Sequence, residues 1–300
     1  MIKGWILYKR CMDELTDGDH GINRFLSIAR DLNIELDVFK PSQFTFVSDN
    51  KDKNIFLNGK PADLPDFLLP RIGAETTDYT LALIRHFEFH GVYTANSAEA
   101  IGTVKDKMRV SQLMMGNNLP IPKTLVLDFP VPFELISSEI GFPLVIKNIA
   151  GARGIGVHLC ETAASFRDLV ELFASCSSQQ LIAQQFIADS YGRDLRVFVL
   201  GNKVIGCMLR TAKDSFKANY SLGGDVKPFV LSPEIEFLAL ECTRLVGLEI
   251  AGIDLLFGKE GYFICEANSS PGFKGMELAT GDDIATKILT YIVNKVGGHK

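Results

Sequence analysis

Apolar and polar positions along the first third of the chain predict an α/β unit. Trp5-Ile-Leu-Tyr8 reads as a short strand, residues 21–32 carry helical spacing, and Ile34-Glu-Leu-Asp-Val-Phe39 alternates with the period of two of a half-buried strand. The polar stretch 48–60 reads as a turn or hairpin, Pro65-Asp-Phe-Leu-Leu-Pro-Arg71 as a short buried strand, and residues 77–90 as a helix. Strands alternating with helices imply a small parallel sheet.

A second unit begins near Asn96. Residues 97–115 read as one helix, which Asn117-Asn-Leu-Pro-Ile-Pro122 ends. Strands are expected at 124–127 and 143–148, a helix at 164–174 and a further strand at 180–186. The remainder is strand-rich from 195 to 210. A helix opened by the capping pair Ser232-Pro233 follows, then a hairpin, then an amphipathic helix after Asp282-Asp283. With 47% hydrophobic residues in 300 positions, the chain can fill more than one core. The expected lobes are 1–95, 96–187 and 188–300, giving an α/β fold overall with α+β lobes.

Charge and cysteine usage narrow the setting. A net charge of -5 argues against a general nucleic-acid-binding surface, and Lys3, Lys9 and Arg10 are too few to make a patch. The N-terminal apolar run is too short for a signal peptide, and nothing later approaches a membrane span. Six scattered cysteines read as buried, reduced thiols of a cytoplasmic protein. His86 and His90 stand at metal-binding spacing, but with no carboxylate or third ligand in view they read as an exposed or core-edge pair.

The hairpin carries the chemistry. Ala251-Gly-Ile-Asp-Leu-Leu-Phe257 and residues 262–267 flank Gly258-Lys-Glu-Gly261, and closure symmetric about Glu260 sets Asp254 opposite Glu266. Asn268 then projects on the side of Glu266, and Cys265 on the opposite side, toward the core. Facing carboxylates need a cation between them, and an Asp/Glu/Asn set is one that Mg²⁺ accepts together with nucleotide phosphates. Upstream, Lys147-Asn-Ile-Ala-Gly151-Ala-Arg-Gly154-Ile-Gly156 joins two strand-like segments, so glycine amides beside a lysine make a candidate phosphate flap. Taken alone, the loop reads equally well as a plain hairpin turn. It lacks the closing Gly-Lys-Ser/Thr of a Walker A loop.

Lys147 with its glycine loop, Gln185-Phe186, Asp194-Leu-Arg196, Lys217-Ala-Asn219, Gly252-Ile-Asp254 and Glu266-Ala-Asn-Ser-Ser-Pro-Gly272 occur in the order seen in ATP-grasp ligases. The chain resembles the RimK-like α-L-glutamate ligases. Pro70-Arg-Ile-Gly73, the segment Lys105-Asp-Lys107 and the tail from Gly275 to Ala285 extend that resemblance over nearly the whole chain. It implies an N-terminal α/β pre-ATP-grasp domain (1–95), a central ATP-grasp lobe with the glycine-rich loop (96–187) and a C-terminal lobe with the metal site (188–300).

The resemblance also implies an amide ligase that forms an acyl phosphate from ATP and a carboxylate, which an amine then attacks. ATP would be held by Lys107, Lys147, Gly151, Gly154, Gly156, Gln185, Phe186, Asp194, Lys217, Ala218 and Asn219, with Asp194 at the ribose. Two Mg²⁺ ions, with Mn²⁺ as an alternative, would be held by Asp254, Glu266 and Asn268. Beside Lys147, Arg196 and Arg210 are candidates for stabilising the acyl phosphate and oxyanion, and Arg71 and Ser270 for the substrate cleft. Arg71 reads equally well as a cap on the first sheet. The implied substrates are an amino acid, glutamate first, and the carboxyl end of a peptide or protein, for an enzyme forming tetramers or dimers. A small-metabolite acceptor and a non-catalytic nucleotide-binding module are the alternatives. Gln185 in place of a common glutamate, and Arg153 in place of an uncharged polar residue, depart from the family pattern.

Overall fold

The computed structural model describes residues 1–48, 54–148, 156–175, 181–213, 215–218 and 223–298, whose strands form four sheets. The chain opens with β1 (Ile2–Leu7), α1 (His20–Ala29) and β2 (Ile34–Phe39). Three short strands follow, β3 (Phe44–Val47), β4 (Asn54–Leu57) and β5 (Lys60–Pro61), and then β6 (Phe67–Pro70), α2 (Asp78–Phe89) and β7 (Tyr93–Thr94). Parallel pairing in the order β2-β1-β6-β7 builds the expected sheet. Its central strands are covered on both faces, which is why Trp5, Ile6 and Leu7 are all buried rather than alternating. The small antiparallel sheet β3-β4-β5 includes Phe44–Val47, which was not anticipated as a strand. Asn58 and Gly59 both take positive φ at its tight turn, a conformation that this residue pair tolerates well.

The expected helix over 97–115 is two helices, α3 (Ala98–Lys105) and α4 (Lys107–Gly116). Asp106 makes the break. Its carboxylate accepts from Met108 N at 2.9 Å and Arg109 N at 3.1 Å, capping the second helix with Lys107 as its first residue. Next come β8 (Thr124–Leu127), α5 (Phe133–Glu139), β9 (Leu144–Asn148), β10 (Val157–Cys160), α6 (Ala163–Ser175) and β11 (Leu181–Gln185). The antiparallel order β10-β9-β11-β8 closes over a core of its own that includes Leu127, Ile136, Ile146, Phe166 and Leu181.

The last sheet, β14-β13-β12-β15-β16, is antiparallel throughout. It comprises β12 (Arg193–Leu200), β13 (Lys203–Thr211), β14 (Asp225–Pro228), β15 (Ile250–Phe257) and β16 (Tyr262–Asn268), with α7 (Pro233–Val246) between β14 and β15. Ser232 caps α7 as expected, accepting from Ile235 N at 3.3 Å. After the hairpin come α8 (Lys274–Thr280), which was not anticipated, and α9 (Ile284–Gly297).

The first and last sheets share a core. Ile22, Phe25 and Ile28 of α1 join Ile284, Ile288 and Ile292 of α9, with Phe67 of β6 and Phe198 of β12 in the same cluster. Asn96 pins the joint: its Oδ1 accepts from Glu249 N and Ile250 N, and its Nδ2 donates to Ile250 O and Ser269 O, all at 2.7–2.8 Å. Val110 and Met114 of α4 pack with Ile235, Leu238 and Cys242 of α7, so α4 rests on the last sheet's helical layer. Lys107, the first residue of α4, lines one cavity with Lys147 of the middle sheet.

Cysteine placement departs from the expectation in part. Cys160, Cys207 and Cys242 are buried thiols, whereas Cys11 and Cys265 are partly exposed, and Cys176 lies outside the described residues. Among the described residues no helix is long and apolar enough to cross a membrane.

Candidate active site

Register decides which charges meet. On the hairpin, Gly252 pairs with Asn268, Ile253 with Ala267, and Asp254 with Glu266. Beyond that point the register shifts, and Leu255 pairs with Ile264 and Phe257 with Tyr262. Cys265 is therefore the extra residue of a β-bulge, and the tip is centred between Lys259 and Glu260 instead of on Glu260. The facing carboxylates stand where expected, but the symmetry assumed for them does not hold. The bulge also corrects the placement of Cys265. A bulge re-aims side chains, and Cys265 lines the same cavity as Glu266, with Sγ 3.9 Å from Lys147 Nζ. Burial raises its thiol pKa.

Two further rungs run across the same face. Asp194 of β12 lies opposite Arg210 of β13, and Arg196 opposite Asp254 of β15. Arg210 reaches Asp194 through Nε at 2.6 Å and Nη2 at 2.7 Å, and also contacts Asp254 Oδ2 at 2.9 Å. Arg196 grips Asp254 with its own fork, Nε on Oδ1 and Nη2 on Oδ2. The result is a buried, charge-balanced square of two arginines and two aspartates. Burial alone would raise the Asp254 pKa, but the two guanidinium groups outweigh it and hold the carboxyl below its ordinary range.

This square revises two expectations. Arg210 is only 3% exposed and its donors are committed to carboxylates, so it positions Asp194 and Asp254 and is not presented to an acyl phosphate. Both oxygens of Asp194 accept from Arg210, so its contribution to a ribose pocket is limited to the face it turns to the cavity.

Opposite the carboxylates lies the cationic side. Lys147, in register with Val157 and Ile182 on the middle sheet, donates to Gln184 Oε1 at 2.7 Å. Gln184 in turn donates to Thr124 Oγ1 at 2.9 Å, which fixes the lysine's direction. Lys107, from the start of α4, is close enough to feel Glu266 and Lys147. Burial lowers its pKa, Glu266 pulls it back up and Lys147 pushes it down. Burial likewise lowers the Lys217 pKa. All three lysines line a single cavity with Asp194, Asp254, Glu266, Gln185, Phe186 and Ala218, between the middle and last sheets.

The lining of that cavity is mixed. Val110, Met114, Ile121, Ile182, Phe186, Ile187 and Leu256 supply apolar walls suited to a flat ring, and the carboxylates and lysines supply the polar groups. The backbone N–H of Gln185 donates to Lys123 O at 2.8 Å, and Phe186 stands edge-on to Tyr191 and Phe216. Gly156 takes φ +71° where the loop re-enters β10. Gly151, Gly154 and Asn219, together with Arg153, lie outside the described residues. Arg71 and Ser270 stand apart from the cavity, at the joint between the first sheet and the loop after β16: Arg71 Nη2 donates to Pro271 O at 2.7 Å, and Ser270 Oγ to Pro70 O at 3.3 Å. Gln184 and Cys265, with Ser111, Ser190 and Arg193, are the polar lining residues that sequence reasoning missed. The alternation of Gln184 with Ile182 on β11 was a usable signal for the first, whereas the bulge had none.

The donor chemistry fits a hard divalent cation. Asn268 Nδ2 donates to Gly252 O at 3.2 Å, which leaves the amide oxygen as the ligating atom. Among the described residues no group of three or more His, Cys, Asp or Glu side chains gathers as a metal site. The chain thus offers the Glu266 carboxylate, one amide oxygen and the Asp254 carboxylate, whose two oxygens already accept from Arg196 and Arg210, and an octahedral ion would draw its remaining oxygens from phosphates and water. His86 and His90, their Nε2 atoms 3.3 Å apart, form a pair without such partners.

Two family models match the chain, a RimK PreATP-grasp domain over residues 18–101 and a RimK-like ATP-grasp domain over residues 104–292. A probable alpha-L-glutamate ligase of Pseudomonas savastanoi pv. phaseolicola is 39% identical over 248 residues, 82% of each chain. Among solved structures, a RimK domain ATP-grasp protein from Sphaerobacter thermophilus superposes with TM-score 0.76 at 18% identity, over 96% of this chain and 98% of that one. The ATP-grasp ligase PsnB, complexed with a phosphomimetic variant of its minimal precursor, Mg and ADP, gives TM-score 0.74 at 19% identity, over 98% of both chains.

Proposed function

The chain belongs to the RimK-like ATP-grasp family and is an ATP-grasp ligase, and from that premise we propose that it adds glutamate to the carboxyl end of a peptide or protein. The observation that carries this reading is the facing pair Asp254 and Glu266, set across one cavity from Lys107 and Lys147. The name of the Pseudomonas relative supports glutamate, and the precursor complex of PsnB supports a peptide acceptor.

In the reaction as proposed, an acceptor carboxylate oxygen attacks the γ-phosphorus of ATP, and the bond to the β–γ bridging oxygen breaks as ADP leaves. The amine of glutamate then attacks the acyl phosphate carbon. Phosphate departs with the bonding electron pair, and the amine loses a proton to solvent as the amide forms. Lys107 and Lys147 offset negative charge on the phosphates and hold them in line. Phe186 and the apolar wall seat the adenine, backbone groups at Gln185 select its edge, and Lys217 and Ala218 close the phosphate side. Arg196, whose fork holds Asp254, would meet charge developing on the transferred phosphoryl group through the donors that pairing leaves over. Arg210 orients both aspartates and, with Arg196, favours the ionised form of Asp254. Asp254, Glu266 and Asn268 would hold magnesium, as two ions or with manganese in its place, which supplies further neutralisation of phosphate charge. We expect a cytoplasmic enzyme, working as a dimer or tetramer.

The test is phosphate release with ATP, Mg²⁺, single amino acids and a peptide bearing a free C-terminus, read together with the acceptor's mass. Release with glutamate and a matching mass increase supports the reading. Nucleotide binding without release in any mixture would overturn it in favour of a non-catalytic module, and release only with small carboxylates would move the acceptor to a metabolite. The phosphate contact has its own check. Lys147→Ala should weaken binding of a non-hydrolysable ATP analogue by about 10- to 100-fold, the range for a lost charged hydrogen bond. Equal affinities in calorimetry would remove Lys147 from the site.

A further inference from the structure

Arg71 follows Pro70 at the carboxyl end of β6, the end of a parallel sheet where ligands bind. Its guanidinium carbon lies 5.9 Å from the ring centres of both Phe25 and Phe273, which are almost fully buried. Its guanidinium donates through Nη2 to Pro271 O, a neutral carbonyl. Burial pushes its pKa down to about 10, still charged at neutral pH. No carboxylate of a described residue pairs with it. Asp19, which shares the neighbourhood of Tyr8, is already committed: it accepts from Tyr8 Oη at 2.7 Å, Arg10 Nη1 at 2.6 Å, Thr16 N at 2.9 Å and Thr16 Oγ1 at 3.0 Å.

A desolvated cation without a counter-charge is costly, and aromatic faces offset only part of that cost. A guanidinium whose rings and carbonyl fix its plane, with donors left over, is prepared for a planar anion. Ser270 adds a hydroxyl at the rim, beside Gly73, whose φ of +62° carries the chain closely past it.

The same loop touches the reaction site. A Cβ built on Gly252 would come within 2.7 Å of Pro271 Cβ and 3.1 Å of Arg196 Cδ, so hydrogen alone fits between the carbonyl partner of Arg71 and the arginine on Asp254. Arg71 does not line the nucleotide cavity, however. A carboxylate seated there is beyond the phosphates and would not be activated. The incoming amino acid has this requirement: its amine must reach the acyl phosphate while its own carboxylates survive into the product.

We propose that Arg71, with Ser270 at its rim, anchors a carboxylate of the amino-acid substrate, glutamate, during attack by its amine. This rests on the amide-ligase reading above. The test uses the full chain with Arg71→Met and Arg71→Lys. The Met variant should raise KM for glutamate at least about tenfold, the scale of one charged hydrogen bond. The acceptor-peptide KM and the affinity for a non-hydrolysable ATP analogue should hold, and the Lys variant should recover part of the loss. Binding of glutarate, a dicarboxylate without the reacting amine, is measured separately by calorimetry and should be lost with Arg71→Met.

An unchanged glutamate KM in a folded Met variant overturns the proposal, and so does a rise confined to the acceptor peptide. Should the wild type turn over no glutamate, the ligase reading for glutamate fails by itself. Glutarate binding then still decides whether Arg71 holds a carboxylate.

Discussion

Glu266→Gln should lower kcat by about 10³-fold or more, the several kcal/mol that metal-borne charge contributes to phosphoryl transfer, while leaving the fold intact. The substitution is isosteric and removes one negative charge, so packing along β16 is preserved. Its effect is large because of the partner across the strand. Asp254 is already balanced by Arg196 and Arg210, so Glu266 is the carboxylate at the rung with charge to give a cation. Lys107, which feels Glu266, loses its neighbouring anion at the same time. Phosphate release and thermal melting, measured side by side, read the two halves of the expectation. A wild-type rate from a folded variant would remove Glu266 from the metal set.

Arg210→Ala should destabilise the protein by about 3–5 kcal/mol, the cost of leaving buried carboxylates without their cation. Arg210 is 3% exposed and ties Asp194 to Asp254 across two strands, so its loss strands charge in the centre of the last sheet. Arg210→Lys should recover only part of the loss, since an ammonium lacks the planar fork that meets two carboxylates at once. The urea midpoint reads both variants, with an unchanged slope marking a change in native stability. A midpoint for Arg210→Ala within about 0.5 kcal/mol of wild type, the range of neutral surface changes, would show that the square is not what secures this sheet.

Much of this architecture was legible from local signals. Strand–helix alternation gave the first parallel sheet, Ser232-Pro233 opened α7, and Asp283 caps α9 through Thr286 N at 2.9 Å. The elements that escaped were those whose signal is weak or non-local. Asp106 sits inside a run with unbroken helical spacing, so the break it makes was hidden by good periodicity on both sides. The seven-residue α8 has Gly275 near its start and too few turns to show a period. The site divides in the same way. Asp254, Glu266 and Lys147 were singled out from residue type and order, and Lys107 from the family resemblance. The commitment of Arg210 to two aspartates depended on pairing the β12-β13 hairpin with β15, which lies beyond β14 and α7 and outside any local window. Arg71 was left open between a sheet cap and a cleft residue. Its setting between Phe25 and Phe273 became visible only once α1 and the loop after β16 had met.

The bulge at Cys265 works as a slip joint in the hairpin. Between the tip and the carboxylate pair, one strand contributes a residue more than the other, so the parity of the tip is uncoupled from the parity of the rung where Asp254 and Glu266 face each other. A one-residue deletion at the tip of an ordinary hairpin would turn one of those carboxylates to the far face of the sheet. Here such a change can be absorbed by moving or removing the extra residue, so the outer loop is free to vary in length while the paired oxygens keep their places.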